Sequence, residues 1–254
     1  MQLLISYKPI FFLLLGIFLC SNTNCQSYKI HSHNDYTRRI PFWEAAAAHA
    51  ASIEVDVLLL RDTLFVAHER ATIQPGWTFE ALYLEPIRLS ATFGFSLHPA
   101  LQLLVDCKTE AFPTLAKIIE KCEAYRSYLY QPETGTGVKI IVSGNRPPPE
   151  WYHQSPAYLF FDHQNITDLA NIALDKVGMV SLPFYRHVQW NGMHAIPEKE
   201  KEKIVNIVKK VHQYNVPFRF WATPDTPEAW KLLPELGVDF INTDKPLSVS
   251  SWIK

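Results

Sequence analysis

The chain has 254 residues, of which 48% are apolar, enough for a substantial buried core in one large domain or two small ones. Its formal net charge is −1, with acidic and basic residues scattered along its length, which argues against a nucleic-acid binder, since that needs a basic stripe. Eighteen prolines against nine glycines predict many stiff, sharply bounded elements.

The N-terminal stretch has one charged residue, Lys8, and an unbroken run of apolar and small residues from Ile10 to Cys20. Such a run is too short to cross a hydrocarbon layer of ~30 Å as a helix, but it suits the hydrophobic part of an export signal. The expectation is a signal peptide over residues 1–25 and a mature chain over 26–254, periplasmic or secreted, with no stable membrane span. Thr23 and Cys25 are the small residues before the cut. Lipoprotein anchoring through Cys20 is an alternative weakened by the bulky Phe18 and Leu19 before it, and an uncleaved membrane anchor is another. Cys107 and Cys122 then remain, each on an apolar face, and read as buried thiols more readily than as a bridge.

Ser27 to His31 predicts a short strand, and Pro41 to Ala51 an alanine-rich helix with proline in its first turn. Ser52 to Leu60 reads as a buried strand, turning at Arg61-Asp62-Thr63 into a second run from Leu64 to His68. Within 76–95 a short helix followed by loop is expected. Strands then alternate with helices: strand 101–108, helix 113–125, strands 138–143 and 157–162, a short helix 166–172, strand 179–183, helix 197–214, strand 218–221, a helix capped at Asp225-Thr226-Pro227-Glu228, and strand 240–242. About eight strands with helical crossovers predict a closed parallel (β/α)8 barrel, one domain, with its chemistry at the C-terminal strand ends.

Glu54 and Asp56 are two apart on a strand and share a face, the barrel lumen. Two carboxylates in one space repel unless a cation lies between them, and Mg²⁺ or Ca²⁺ prefers such oxygen ligands. The plainer alternative is an ion pair with a lysine or arginine of the barrel. Asp106 and Lys108 repeat the spacing in L-L-V-D-C-K: Asp106 can complete a three-carboxylate site, and Lys108 can meet an anionic substrate oxygen, or the two can simply pair. His33 and His68 each follow an apolar strand, where acid–base cleavage of a phosphodiester would need them. By alternation His31 shares a face with His33 and is a candidate substrate contact.

The motifs H-S-H-N-D-Y, E-V-D, V-A-H, V-D-C-K and the closing G-V-D-F-I-N-T-D-K-P resemble the phospholipase-C-like phosphodiesterase superfamily, which includes glycerophosphodiester phosphodiesterases and sphingomyelinase D. With L-Y-L-E-P, S-G-N-R-P and W-A-T-P-D, the chain is similar to the altered-inheritance-of-mitochondria protein family within it, over nearly everything after residue 25. The resemblance implies a distorted (β/α)8 barrel, His33 and His68 as acid–base pair, and Glu54, Asp56 and Asp106 as ligands of one divalent cation, Mg²⁺ or Ca²⁺. It implies a lysine at Lys108 on the phosphate, an aromatic wall at Trp221, and Asp244 in a Thr-Asp-x-Pro turn. Its implied substrate is a small-molecule or lipid phosphodiester of the glycerophosphodiester or phospholipid kind.

Three departures bear on the substrate. Asn34 and Asp35 stand where glycerophosphodiesterases have Arg-Gly, so Asn34 becomes a candidate substrate contact and Arg146 a candidate replacement for the arginine. Phe42-Trp43-Glu44 stands near the place of their Glu-Asn-Thr motif, and Asp106 replaces a glutamate. Two other classes remain. One is a zinc-dependent amidohydrolase or PHP-type hydrolase using His31-x-His33 with His163 or His194. The other is a barrel that binds a phosphorylated ligand without turning it over.

Overall fold

The computed structural model describes residues 28–253; the expected signal, its cut and Cys20 lie outside the described residues. Parallel strands form a ring, in chain order β1 (Lys29–Ser32), β2 (Ser52–Leu60), β4 (Gln102–Cys107), β5 (Lys139–Gly144), β6 (Leu159–His163), β7 (Val177–Pro183), β8 (Phe218–Trp221) and β9 (Phe240–Thr243). A further strand, β3 (Thr63–Val66), folds back antiparallel on β2 as a hairpin. The strand order β8-β7-β6-β5-β4-β2-β1-β9 leaves one seam, between β8 and β9. There the Asp239 N–H donates to the Phe218 carbonyl at 3.0 Å, and the Phe218 N–H donates to the Asp239 carboxylate at 2.7 Å. The ring is thus nearly closed, a distorted (β/α)8 barrel.

Helices cover the ring: α1 (Trp43–Ala47), α2 (Glu85–Phe93), α3 (Ala111–Glu123), α4 (Phe184–His187), α5 (Glu198–His212), α6 (Pro227–Glu235) and α7 (Pro246–Trp252). α3 buries Ile118 and Cys122, and α5 buries Ile204, Val208 and Val211, the stripes that their periodicity predicts. Each such aliphatic side chain contributes about 1.5–3 kcal/mol when fully withdrawn from water. Cys107 and Cys122 are buried free thiols, and burial pushes the Cys122 thiol up to about 12.

Inside the ring the composition changes along each strand. Ala51, Leu104, Ile141, Met179 and Phe240 form an apolar plug with Phe160. Two residues further on, Leu104 gives way to Asp106, Ile141 to Ser143, Phe160 to Asp162, Met179 to Ser181 and Phe240 to Asn242. Because side chains alternate with period two, these polar groups look into the same lumen, one layer nearer the C-terminal ends. The register pairs Asp56 with Asp106 and Asp106 with Ser143 at one level.

Four elements depart from expectation for local reasons. The alanine run stops as a helix at Ala47, because His49 turns to φ 55° and the Ala51 N–H is taken by the Ile30 carbonyl at 2.9 Å. Instead of a short helix and a loop, residues 80–84 form a π-helical turn that runs into α2. Pro86 falls just past the junction of the π turn and α2, and Gly94 ends α2 at φ 69°. The 166–172 segment contains one 3-10 turn, Leu169–Asn171; just before it the Asn165 side chain accepts from the Thr167 N–H at 2.9 Å, a local bond that competes with a helix. β3 ends at Val66, and the Ala67 N–H donates to the Asp56 carbonyl at 3.3 Å, which keeps His68 beside β2.

Candidate active site

On β2, Glu54 and Asp56 are 5% and 0% exposed. Glu54 Oε2 accepts from His31 Nε2 at 2.7 Å and from Arg219 Nη1 at 2.9 Å. Arg219 Nη1 also donates to Asn242 Oδ1 at 3.1 Å and lies against His31 Nε2, while Nη2 is 4.0 Å from Asp162. Ser143 and Ser181 donate to Asp162 Oδ2 at 2.8 and 2.7 Å. A buried charge survives only when partnered, and this network gives each charged group a partner while leaving Arg219 Nε and Asp162 Oδ1 without a hydrogen bond. Burial drives the Glu54 carboxyl upward, but the Arg219 charge and the His31 bond outweigh it and hold it well below the usual range. Burial, with the Arg219 charge, pushes His31 down to about 3, so its imidazole is neutral.

Asp56 is held from three directions. Its Oδ2 accepts from the Tyr36 hydroxyl and from His68 Nδ1, each at 2.8 Å. Its Oδ1 is 3.3 Å from Lys108 Nζ and is otherwise without a hydrogen-bond partner. Lys108 Nζ donates to Asp106 Oδ2 at 2.9 Å. Burial raises the Asp106 carboxyl to about 6; Lys108 opposes this, and the charges of Asp56 and Glu54 add to it. Gly144, at φ 65°, lies so close that a Cβ there would be 1.9 Å from Asp106 Oδ1.

Glu54, Asp56 and Asp106 each offer an oxygen within 4.8 Å of the others, and among the described residues this is the group of possible metal ligands. The donor set is all oxygen, and Asp56 Oδ1 lacks a hydrogen bond, so the residues fit a hard divalent cation. The plainer alternative is also realised in part, since Arg219 pairs with Glu54 and Lys108 with both aspartates.

His33 leaves β1 at the C-terminal mouth, its N–H donating to the Thr243 carbonyl at 3.0 Å. Its Nδ1 bonds Asp244 Oδ1 at 2.9 Å, and Arg38 Nη2 donates to the same oxygen at 3.1 Å and to the His33 carbonyl at 3.0 Å. Burial works against charge on His33, but the Asp244 bond and the charges of Glu54 and Asp244 leave its imidazole raised.

A cavity of about 440 Å³ opens here, with His33, Asn34, Glu54, His68, Asp106, Lys108, Arg219 and Trp221 in its wall. Asp56 is buried beneath His68. His31 lies under the cavity, 0% exposed, with its nitrogens on Ser52 and Glu54. Asp244 stands behind His33. Arg146 is turned aside: its Nε donates to the Tyr152 hydroxyl at 3.1 Å and its Nη1 to the Gly144 carbonyl at 3.3 Å. The sequence reading missed Arg219, Asp162 and Tyr36. The first two were findable by the rule that found Glu54, as lone charges inside F-R-F-W and L-F-F-D.

The family described as AIM6-like phosphodiesterase domain matches residues 21–93, and the glycerophosphoryl diester phosphodiesterase family matches residues 217–246. The chain is 25% identical to the altered inheritance of mitochondria protein 6 homolog of Arthroderma benhamiae, over 85% of this chain and 80% of that protein. It is 26% identical to altered inheritance of mitochondria protein 6 of Eremothecium gossypii, over 88% of this chain and 69% of that one. A glycerophosphodiester phosphodiesterase structure from Parabacteroides distasonis shares the fold, with TM-score 0.57 and 13% identity, over 89% of this chain and 96% of its own. These matches make the chain similar to the phospholipase-C-like phosphodiesterase superfamily, and within it to the altered inheritance of mitochondria proteins.

The same relatives correct the expectation of an exported protein. The relatives are named for altered inheritance of mitochondria, which points to a mitochondrial location rather than a periplasmic or secreted one. A short apolar N-terminal run behind a lysine is a weak discriminator between destinations. No helix among the described residues is long and apolar enough to cross a membrane.

Proposed function

We propose that the chain is a metal-dependent phosphodiesterase that cleaves a glycerophosphodiester- or phospholipid-like substrate by acid–base catalysis between His33 and His68. The observation that carries this is convergence: two imidazoles, a lysine and three carboxylates from β1, β2, β4 and the β3 hairpin meet at one mouth of the barrel. An all-oxygen ligand set favours Mg²⁺ or Ca²⁺ over zinc, and the His31 nitrogens are already engaged by Ser52 and Glu54.

Each catalytic imidazole is fixed by a carboxylate at Nδ1, His33 by Asp244 and His68 by Asp56. This sets the tautomer and turns Nε2 to the substrate. One takes the proton from the attacking oxygen, of water or of a neighbouring substrate hydroxyl, and the other gives a proton to the leaving alkoxide oxygen. Lys108 meets a phosphoryl oxygen, Arg219 adds positive charge at the cavity floor, and Trp221 forms an apolar wall for the alcohol. Glu54, Asp56 and Asp106 would hold the cation, which supplies charge neutralisation at the phosphoryl oxygens.

The test is a panel of phosphodiesters assayed with and without chelator, alongside His33→Ala and His68→Ala. Cleavage that needs Mg²⁺ or Ca²⁺ and both histidines is the expected result. A protein that turns over none of the panel with either metal would instead be a binding barrel.

A further inference from the structure

Beside the catalytic cavity lies a second one of about 710 Å³, sharing Lys108 and Asn145 with it. Arg70, from the turn after His68, and Arg146, from the loop after β5, stand in its wall with the first turn of α3. Its charged lining is Arg70, Lys108 and Arg146 against Glu110. Lys108 borders both cavities and pairs with Asp106 and Asp56 on the catalytic side. Arg146 uses Nε and Nη1 internally and keeps Nη2. Among the described residues, the Arg70 guanidinium has neither an ion pair nor a hydrogen bond.

α3 adds donors to the same wall. Its N-cap, Glu110, makes no side-chain cap, so the amide of Ala111, which lines this cavity, and that of Phe112 beside it have no acceptor from that side chain. Two guanidinium groups with spare donors and uncapped helix amides match a tetrahedral oxyanion. The proposed cleavage by His33, His68 and Lys108 makes no use of Arg70.

We propose, building on the phosphodiesterase reading, that this cavity takes a second phosphate: the substrate is a phosphodiester that also carries a phosphomonoester. The scissile phosphate lies at His33, His68 and Lys108, and the monoester reaches past Lys108 to Arg70, Arg146 and the α3 amides.

Two measurements test it. In the first, the full-length ¹⁵N-labelled protein is titrated with inorganic phosphate. Saturable shifts of the Ala111 and Phe112 amides that disappear in Arg70→Gln support the cavity, and no shift, or the same shift in Arg70→Gln, overturns it. In the second, KM is compared for two glycerophosphodiesters that differ only by a phosphomonoester on the alcohol. The expected KM is about tenfold lower for the phosphorylated one, the size of one charge-assisted hydrogen bond, and that ratio collapses in Arg70→Gln. Equal KM values overturn the proposal. Amide shifts in a protein that cleaves no phosphodiester would uphold the cavity while removing the activity; cleavage with neither shifts nor preference would do the reverse.

Discussion

His33 and Asp244 are 211 positions apart in the chain and are joined by a 2.9 Å hydrogen bond from imidazole to carboxylate. They follow β1 and β9, which pair in parallel from Lys29–Phe240 to Ser32–Thr243. The bond therefore exists only when the first and last strands of the ring have met, which couples one proposed catalytic group to closure of the barrel.

Removing that carboxylate has a signed consequence. Burial and Arg219 push His33 down, and the Asp244 bond is the largest of the influences that raise it above 6.5. In Asp244→Asn the imidazole titrates lower, so whichever limb of the pH–rate profile belongs to His33 moves to lower pH. The folded state also loses stability that is present below 6.5 and fades as pH rises through the raised value. A profile of kcat/KM against pH that superimposes on the wild type would remove Asp244 from this role.

His33→Ala and His68→Ala should each lower turnover by about 10²–10⁴-fold if each group transfers a proton. His68 is 64% exposed at its side chain, so its removal should leave thermal unfolding nearly unchanged. Near-normal turnover in both variants would dismiss the pair.

The site was legible wherever chemistry broke an apolar run. Glu54, Asp56, Asp106 and Lys108 stand out because a charge on a buried strand needs a partner, and period-two spacing fixes the face. Arg219 is visible by the same rule, but what it pairs with depends on β8 lying across the lumen from β2, and strand spacing alone does not give that distance. The strands were read to within a few residues because their runs are short and bounded. Helices were less legible where tertiary contacts override propensity, as where the sheet takes the Ala51 amide or where a π turn continues through Pro86 into α2. α7, with its S-V-S-S-W sequence, carries too little apolar period to announce itself.

Chelation should lower turnover by roughly 10²–10³-fold, the equivalent of several kcal/mol of charge stabilisation, with recovery on adding Mg²⁺ or Ca²⁺. Asp106→Asn should raise the metal concentration needed for half-recovery, while Lys108 is left with Asp56 at 3.3 Å. Full activity in chelator would dispose of the three-carboxylate metal site.

Asp35 marks a structural dependence of the same loop. It is 0% exposed, and accepts from the Ser32 hydroxyl at 2.9 Å, the Phe42 N–H at 2.6 Å and the Tyr83 hydroxyl at 3.1 Å. Phe42 sits at φ 66°, so its amide bond to Asp35 helps hold a backbone conformation that L residues avoid. Asp35→Ala strands three buried donors and should cost about 3 kcal/mol in denaturant unfolding. Asp35→Asn, which keeps one acceptor oxygen, should cost less. If the two variants lose the same stability, the hydrogen bonds are not what matters there.

Gly144 tests how tightly the site is packed. A Cβ there would lie 1.9 Å from Asp106 Oδ1 and 2.7 Å from the Cys107 carbonyl, at a φ of +65°. Gly76, at φ +80°, has nothing within 4 Å of its would-be Cβ, so Gly76→Ala registers the backbone cost alone, about 1 kcal/mol. Gly144→Ala carries that cost and must also displace Asp106 or the strand beneath it. It should therefore lose more stability than Gly76→Ala in matched denaturant titrations, and should lower activity as Asp106→Asn does. Since Gly76 lines neither cavity, its variant should keep wild-type turnover. Equal losses of stability in the two variants, with activity retained in both, would mean that Asp106 can move without consequence, and with it the requirement for three converging carboxylates would go.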